Sequence, residues 1–507
     1  MVSVQAPQNP DPATLSARLP AFAWRPVTAV AALTAAYLLA TSARYGYHRD
    51  ELYFLEAGRH LAWGYDDQPP LTPLLMRGET ALFGTAVAAV RIVPLLCSLG
   101  MVYLAAACAR ELRGTRAAQV IAAAATAATP MALFLGHIFV TATVDFLVWS
   151  VILWLVLRWL RTRQDRLWPV IGAVAGLGLL NNNLVAGLAA ILVIGALISG
   201  PRELFANRWV WSAAAIAVLL WLPYLIWQGQ HGWPEAKMMG HISGQSDERA
   251  NLLPFQLEAA TGATPIWIAG LWRLLRGAQT RPYRMLAWAY PLLLALLAIT
   301  GGKRYYPDGF LPLLFGAGSV AVVDWLRRGR ERVRAAWLWA SVALTAVTTA
   351  LLVTPALPVR TFVAWGFINI NKENGETIGW PSLVATTAGA YATIPPQQRP
   401  RAVILAENYG DAGALAHFGP GAGLPFAYAP HDGYQRFGVP TDAQDGPVVA
   451  VGFRGDQAPD FLTGCVQAGV VDNGLKADNQ EQGVPIWVCS GPHQPWSRLW
   501  PTLVHYS

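Results

Sequence analysis

Charge is scarce in this chain. Asp, Glu, Lys and Arg make up 13% of its 507 residues, against about 25% in an ordinary soluble domain. With 54% hydrophobic residues beside it, that deficit excludes a conventional water-soluble globule and points to many membrane-spanning helices. Cysteine is scarcer still, four in all, which rules out a disulfide-built scaffold. Cys97 and Cys108 lie in one long apolar run and read as small buried hydrophobes. No internal repeat and no low-complexity linker is visible. The glycine pattern that cradles a nucleotide phosphate is absent, and no spacing of ligands is diagnostic of a metal.

What fills the chain instead is apolar runs. They fall at 27–42, 84–108, 117–135, 139–158, 168–181, 184–199, 209–227, 261–275, 285–300, 309–325 and 336–355. About 20 residues cross a bilayer as a helix, so these are eleven candidate spans, several of them short. Arginines mark the sides. Arg18 and Arg25 precede the first run; Arg110, Arg113 and Arg116 follow the second; Arg158, Arg161, Arg163 and Arg166 follow the fourth. Arg202 and Arg208, then Arg273 to Arg284, then Arg327 to Arg334 continue the pattern. With eleven spans every cluster falls on one side, which the positive-inside rule makes cytoplasmic. The net charge of +7 is therefore a topology signal, and no nucleic-acid partner is expected. A cleaved signal peptide over 21–43 is the rival reading of the first run; it lacks a strongly basic start, and ten further runs favour a retained helix.

This topology gives a cytoplasmic segment 1–26, a membrane domain 27–355, and outer loops at 43–83, 228–260 and 301–308. A connecting segment 356–394 leads to an exterior domain at 395–507. From about 395 the apolar runs shorten to strand length, "RAVILAE" (401–407), "PVVAVGF" (447–453) and "VPIWVCS" (484–490), with a helical "DAGALAHF" (411–418) between them. Strands alternating with helix predict a small α/β domain. The expected fold class is thus a polytopic α-helical membrane protein with a small α/β extracytoplasmic domain at its C-terminal end. Cys465 and Cys489 both fall in that exterior domain, an oxidising setting in which they are disulfide candidates. Trp487, Trp496 and Trp500 read as core before carbohydrate contacts.

The first outer loop, "YGYHRDELYFLEAGRHLAWGYDDQPPL" (45–71), gathers Asp50, Glu51, Glu56, Asp66, Asp67, His48 and His60. Its "DELYFLEAGRHL" reads as an amphipathic helix on the outer surface, ended by a turn at Pro69-Pro70. The plain reading of Asp50 and Glu51 is helix capping. Other polar residues fall on the same face: Asp145 at the start of the fourth run, His137 just before it, Arg91 near the second, and Lys303, Arg304, Tyr305, Tyr306 and Asp308 in "GGKRYYPDGF" (301–310). Ionisable groups at a membrane boundary are costly and tend to be functional. Arginine and lysine suit a lipid phosphate, and a carboxylate suits removal of a proton from an attacking hydroxyl.

These motifs resemble a known group. The "DE" pair in the first outer loop, the "GY-D-PP" turn, the later aspartate and the "K-YY-P" loop look like the GT-C class of membrane glycosyltransferases. They are similar in particular to the glycosyltransferase family 39-like bacterial members, relatives of the protein O-mannosyltransferases and of the lipid A aminoarabinose transferase. The tail, with "ENYGDAGAL" (407–415) and "PWSRLWP" (495–501), resembles that of actinobacterial members. The resemblance implies transfer, with inversion, of a hexosyl or pentosyl group. The donor is a polyprenyl monophosphate sugar, and the acceptor is an extracytoplasmic glycan, lipid or protein at the bacterial plasma membrane. It implies Asp50 as base with Glu51 and Asp145 as further acids. It implies Arg91, Lys303, Arg304, Tyr305 and Tyr306 at the donor phosphate. His48, Tyr65, Asp66, Asp67, Gln68, His137 and Asp308 complete the expected substrate contacts. One departure is Gln68, where the aminoarabinose transferases carry a lysine; it can donate hydrogen bonds but brings no charge. No cofactor is required, although the oxygens present leave room for a divalent metal. The competing class is a transporter or flippase of a lipid-linked or anionic substrate, which would place its polar groups at mid-membrane.

Overall fold

The computed structural model describes residues 19–242, 249–454 and 457–506. Arg18 and most of the segment 1–26 lie outside the described residues, as do 243–248 of the loop 228–260.

Each of the eleven apolar runs carries helix. They are α1 (Trp24–Ser42), α4 (Ile92–Glu111), the pair α5 (Arg116–Ala128) and α6 (Pro130–Leu135), α7 (Thr141–Thr162), α8 (Leu167–Leu179) and α9 (Leu184–Ser199). Then come α10 (Arg208–Gln230), α13 (Thr264–Arg276), α14 (Arg284–Thr300), α15 (Leu311–Arg327) and α16 (Glu331–Val353). The third run is split because Pro130 cannot donate to the preceding turn; Thr129 turns extended and its hydroxyl caps the new helix at Ala132. Among the described residues six helices are long and apolar enough to cross a membrane. Large apolar side chains such as Leu33, Leu219, Ile299 and Trp337 stand exposed on the bundle, as expected of a surface solvated by lipid. Inside, small residues let backbones touch. A side chain at Gly318 would strike the Ile266 carbonyl, and one at Gly270 would strike that of Leu314, so α13 and α15 pack at glycine distance.

The loops between the runs are structured. α2 (Arg49–Ala57) and α3 (Leu71–Phe83) fill 43–83, and α11 (Pro234–Ile242) and α12 (Leu252–Glu258) occupy 228–260. α17 (Val359–Ala364), α18 (Lys372–Gly375) and α19 (Trp380–Ala392) follow the bundle. The chain then builds a five-stranded sheet from β1 (Val403–Ala406), β2 (Ala427–Tyr428), β3 (Val448–Val451), β5 (Val466–Val470) and β6 (Pro485–Cys489), in the order β2-β1-β3-β6-β5. Here β1 pairs in parallel with β2 and β3, and β6 pairs antiparallel with β3 and β5. β4 (Leu462–Thr463) pairs with β7 (Gly491–Pro492). α20 (Tyr409–Phe418) follows β1, and α21 (Trp496–Leu503) closes the chain.

Alternation along the strands gives the sheet two faces. Ile404, Ala406, Val449 and Ile486 join one continuous apolar core with α2, α20 and the bundle. Val403, Leu405 and Val448 pack on Trp487, Trp496 and Trp500, which makes those tryptophans core, as read. Cys465 and Cys489 are joined in a disulfide. Strands β2 and β5 escaped the sequence reading, being two residues long and solvent-exposed respectively.

Candidate functional site

The loop that enters α2 is anchored before it can do any chemistry. Gly46 passes so close to the Thr377 carbonyl that no side chain fits there, and Trp380 Nε1 donates to Tyr47 O at 2.8 Å. His48 caps α2: its backbone N–H donates to Glu51 and its ring accepts from the Asp50 N–H. Glu51 points into the bundle, 0% exposed. Arg91 grips both its oxygens at 2.9 Å, and the Phe139 N–H adds a fourth bond at 3.1 Å. The rest of the Arg91 guanidinium donates to the carbonyls of Ser42 and Gly46 and meets His137 Nε2 at 3.0 Å.

This overturns three expectations at once. Glu51, Arg91 and His137 form a buried clasp between the first outer loop, the α4 entry and the segment before α7. Arg91 is 2% exposed, and its donors are spent on protein acceptors, so it has none to offer a phosphate. Glu51, wholly enclosed and ion-paired, cannot meet a substrate.

Consecutive helical residues point about 100° apart, and Asp50 therefore faces the other way. Its side chain is 31% exposed. Tyr409 Oη donates to Asp50 Oδ1 at 2.8 Å, and His48 Nδ1 lies 3.9 Å from Oδ2. The far nitrogen of His48 meets Glu373 at 3.1 Å. Burial works against a charge on His48, but the bond to Glu373 and the charges of Asp50, Glu373 and Glu51 outweigh it, so its pKa rises. Glu373 is held below the ordinary range, first by its bond to His48, with the charges of His48, Lys303 and Arg49 adding to it. Exposed Lys303 thus lies within reach of the carboxylate that meets His48. Glu373 and Tyr409 were missed in the sequence because they come from segments more than 300 residues away, with no local pattern to signal them.

The turn after α2 supplies a second carboxylate. Tyr53 Oη donates to Asp67 Oδ1 at 2.9 Å, and the Tyr53 ring lies 5.2 Å from that of Tyr409. Burial pushes Asp67 up to about 7, with Asp66 and Asp50 adding to the rise. Close by, Glu235 is also raised to about 7 by burial, bonded to Asn183 and Tyr224. Gln68 is 4% exposed, and neither amide atom has a hydrogen-bond partner.

Other expectations fail for local reasons. Asp66 is enclosed by Arg436 and Gln435, so it holds the C-terminal segment rather than a sugar. Tyr65 is buried with its hydroxyl bonded to the carbonyls of Ala57 and His60, which closes the turn. Asp145 is 1% exposed inside α7, one of its oxygens without a protein partner. Asp308 is likewise buried, and both of its oxygens lack a partner. Arg304 stacks over the Phe255 ring at 5.0 Å, Tyr305 packs on Phe146, and Tyr306 on Tyr305. α2 is no surface helix: Glu51 to Ala57 are all buried, because α20 roofs it. Leu61, expected on its apolar face, is half exposed beyond its end. No group of three His, Cys, Asp or Glu among the described residues could hold a metal ion.

Comparison with known proteins places this geometry. A family model described as dolichyl-phosphate-mannose-protein mannosyltransferase matches residues 67–227. Comparison with curated proteins finds none that matches. ArnT from Cupriavidus metallidurans in the apo state is similar with a TM-score of 0.62 at 15% identity, over 92% of this chain and 98% of that one. The same protein bound to undecaprenyl phosphate gives 0.59 at 14% identity with the same coverage. The arabinofuranosyltransferase AftD from Mycobacteria gives 0.50 at 15% identity, over 94% of this chain and 41% of that one. The fold is shared with ArnT over nearly the full length of both chains, and the apolar helices of the described residues suit a multi-pass membrane protein.

Proposed function

We propose that this protein moves a sugar from a polyprenyl monophosphate donor to an acceptor hydroxyl outside the cytoplasmic membrane, with Asp50 as general base. The observation that carries the reading is the split fate of the acidic pair. Glu51 is locked to Arg91, while Asp50 stays open at the end of the bundle, beside Tyr409 and His48. The helix that brings Tyr409 to Asp50 follows strand β1 of the C-terminal sheet, whose disulfide suits an oxidising compartment. Counting eleven spans, the positive-inside rule applied to the arginine clusters supports an outer position for Asp50, Asp67, Lys303 and Glu235.

The reaction balances simply. The acceptor oxygen attacks the anomeric carbon on the face opposite the phosphate, its proton passes to the Asp50 carboxylate, and the carbon–oxygen bond to the phosphate breaks. The electron pair leaves with the polyprenyl phosphate, so configuration inverts. Lys303, whose charge reaches Glu373 beside His48, supplies positive charge toward that phosphate. Asp67, with a pKa near 7, is placed to hydrogen-bond sugar hydroxyls as donor or acceptor. A divalent metal is not part of this reading. A transporter is disfavoured because the polar groups gather at one end of the bundle rather than at its middle.

The test is direct. Membranes containing the protein are incubated with radiolabelled polyprenyl-phosphate sugars, and the same is done with Asp50→Asn. The native protein transfers label and the variant loses about 10²-fold or more of the rate; equal transfer by both would remove Asp50 from the reaction.

A further inference from the structure

The strand order β2-β1-β3 contains a reversal. From β1 the chain passes through α20 to β2 on one side, then returns to β3 on the other, and all three strands run parallel. Crevices outside the carboxyl ends of strands at such a reversal are where open α/β sheets bind ligands. Here Glu407 and Gly452 directly follow β1 and β3, and a cavity of about 280 Å³ opens at that point, lined by Arg49, Glu407, Asn408, His431, Gly452, Arg454, Gln480 and His505.

Its walls are built for a particular chemistry. Gly452 has φ +92°, and a side chain there would meet the Asp411 carboxylate at 2.5 Å and Glu407 at 3.1 Å, so glycine keeps the floor open. Donors and acceptors alternate around it. Arg49 donates to Gln480 Oε1 at 2.6 Å, and Arg454 donates to the Gln480 carbonyl. Positive charge is already matched: Arg49 faces Asp50, Glu376 and Glu481, and Glu407 adds a carboxyl to the wall. His431 is held down to about 3 by burial and by the charges of His505 and Arg49, and is neutral. A phosphate or carboxylate gains little from such a balance. A hydroxyl-rich ring gains much, since amide, guanidinium and carboxyl groups pair with neighbouring hydroxyls, and the rings of His431 and His505, stacked 4.6 Å apart, line the wall beside those groups.

We propose that this crevice binds a neutral saccharide unit of the acceptor and presents it to Asp50. The link is short. Arg49 lines the crevice and Asp50 is the next residue of α2, while Asn408 lines it and caps the helix whose Tyr409 bonds Asp50. The acceptor role rests on the transfer reaction proposed above; the saccharide site itself does not.

Saturation-transfer NMR on the full-length protein in lipid nanodiscs tests it, with methyl α-mannoside, methyl α-galactoside and methyl α-arabinofuranoside as probes. At least one receives saturation from the wild type. Glu407→Gln and Gln480→Ala, each checked for an unchanged melting temperature, weaken that binding about tenfold. Arg401→Ala, at the opposite end of β1, leaves it intact. Silence from all three sugars, equal signals in both crevice variants, or displacement by inorganic phosphate alone would overturn the site. Sugar binding here by a protein that transfers none would overturn the transferase reading and not the site; transfer by a protein that binds none would do the reverse.

Discussion

Asp50 and Glu51 are neighbours in sequence and opposites in environment, and the difference is one step of helical rotation. Glu51 with Arg91 is a fully enclosed ion pair. Removing one partner of such a pair leaves an uncompensated buried charge, which costs about 3–5 kcal/mol. Arg91→Met should therefore lower the melting temperature sharply, and Glu51→Leu added to it should recover part of the loss. A recovery of activity without any recovery of stability would contradict a purely positioning role for the clasp. Asp67 makes a second prediction at this scale. Its pKa rises from 3.8 to about 7, by burial first. The folded protein therefore holds a proton that the unfolded chain has lost between those values, and this contribution to stability falls as pH rises through that window. The slope of melting temperature against pH between 4 and 7 should be shallower in Asp67→Asn than in wild type, and an identical slope would show that Asp67 titrates normally.

At the scale of elements, α2 and α20 decide the site together. α20 lies across α2 because Gly413 has no side chain: a Cβ there would meet the Leu52 backbone at 2.9 Å. Neighbouring Ala412 and Ala414 are small and fully buried. That close approach lets Tyr409 reach Asp50. Gly413→Val should force the helices apart, costing about 1–3 kcal/mol, and should reduce transfer by displacing the Tyr409 hydroxyl. Tyr409→Phe isolates the second effect, since it removes the hydrogen bond and keeps the packing. If Gly413→Val destabilises while leaving transfer intact, the roof over α2 is structural only.

At the scale of the whole molecule, one apolar core runs from the bundle through α2 and α20 into one face of the sheet. The C-terminal segment is therefore a continuation of the bundle rather than a tethered module. The disulfide closes a separation of 24 residues, and its loss through paired Cys465→Ser and Cys489→Ser should cost about 2–4 kcal/mol. The topology makes a plainer prediction. On intact cells, a membrane-impermeant thiol reagent should label Gly474→Cys, near the sheet, and should not label Gly329→Cys, in the arginine-rich turn after α15; the reverse pattern would invert the protein in the membrane.

The sequence by itself determined the membrane class, the positions of the eleven helical runs, the central strands β1, β3 and β6 of the sheet, and the face on which acids gather. All of these follow from local composition and period, which need no partner to be read. It also singled out Asp50 and the Lys303 loop, because ionisable residues stand out in so apolar a chain. Only the tertiary structure decided which acids are open and which are spent. Glu51 and Asp66 carry the same chemistry on paper as Asp50 and Asp67, yet packing pairs them off inside the protein, as it does Arg91 and Tyr65. The partners that matter, Tyr409, Glu373 and Arg436, come from hundreds of residues away. Charge is cheap to write into a sequence and expensive to bury, so whether a given acid can act is settled by its neighbours, and those are chosen by the fold.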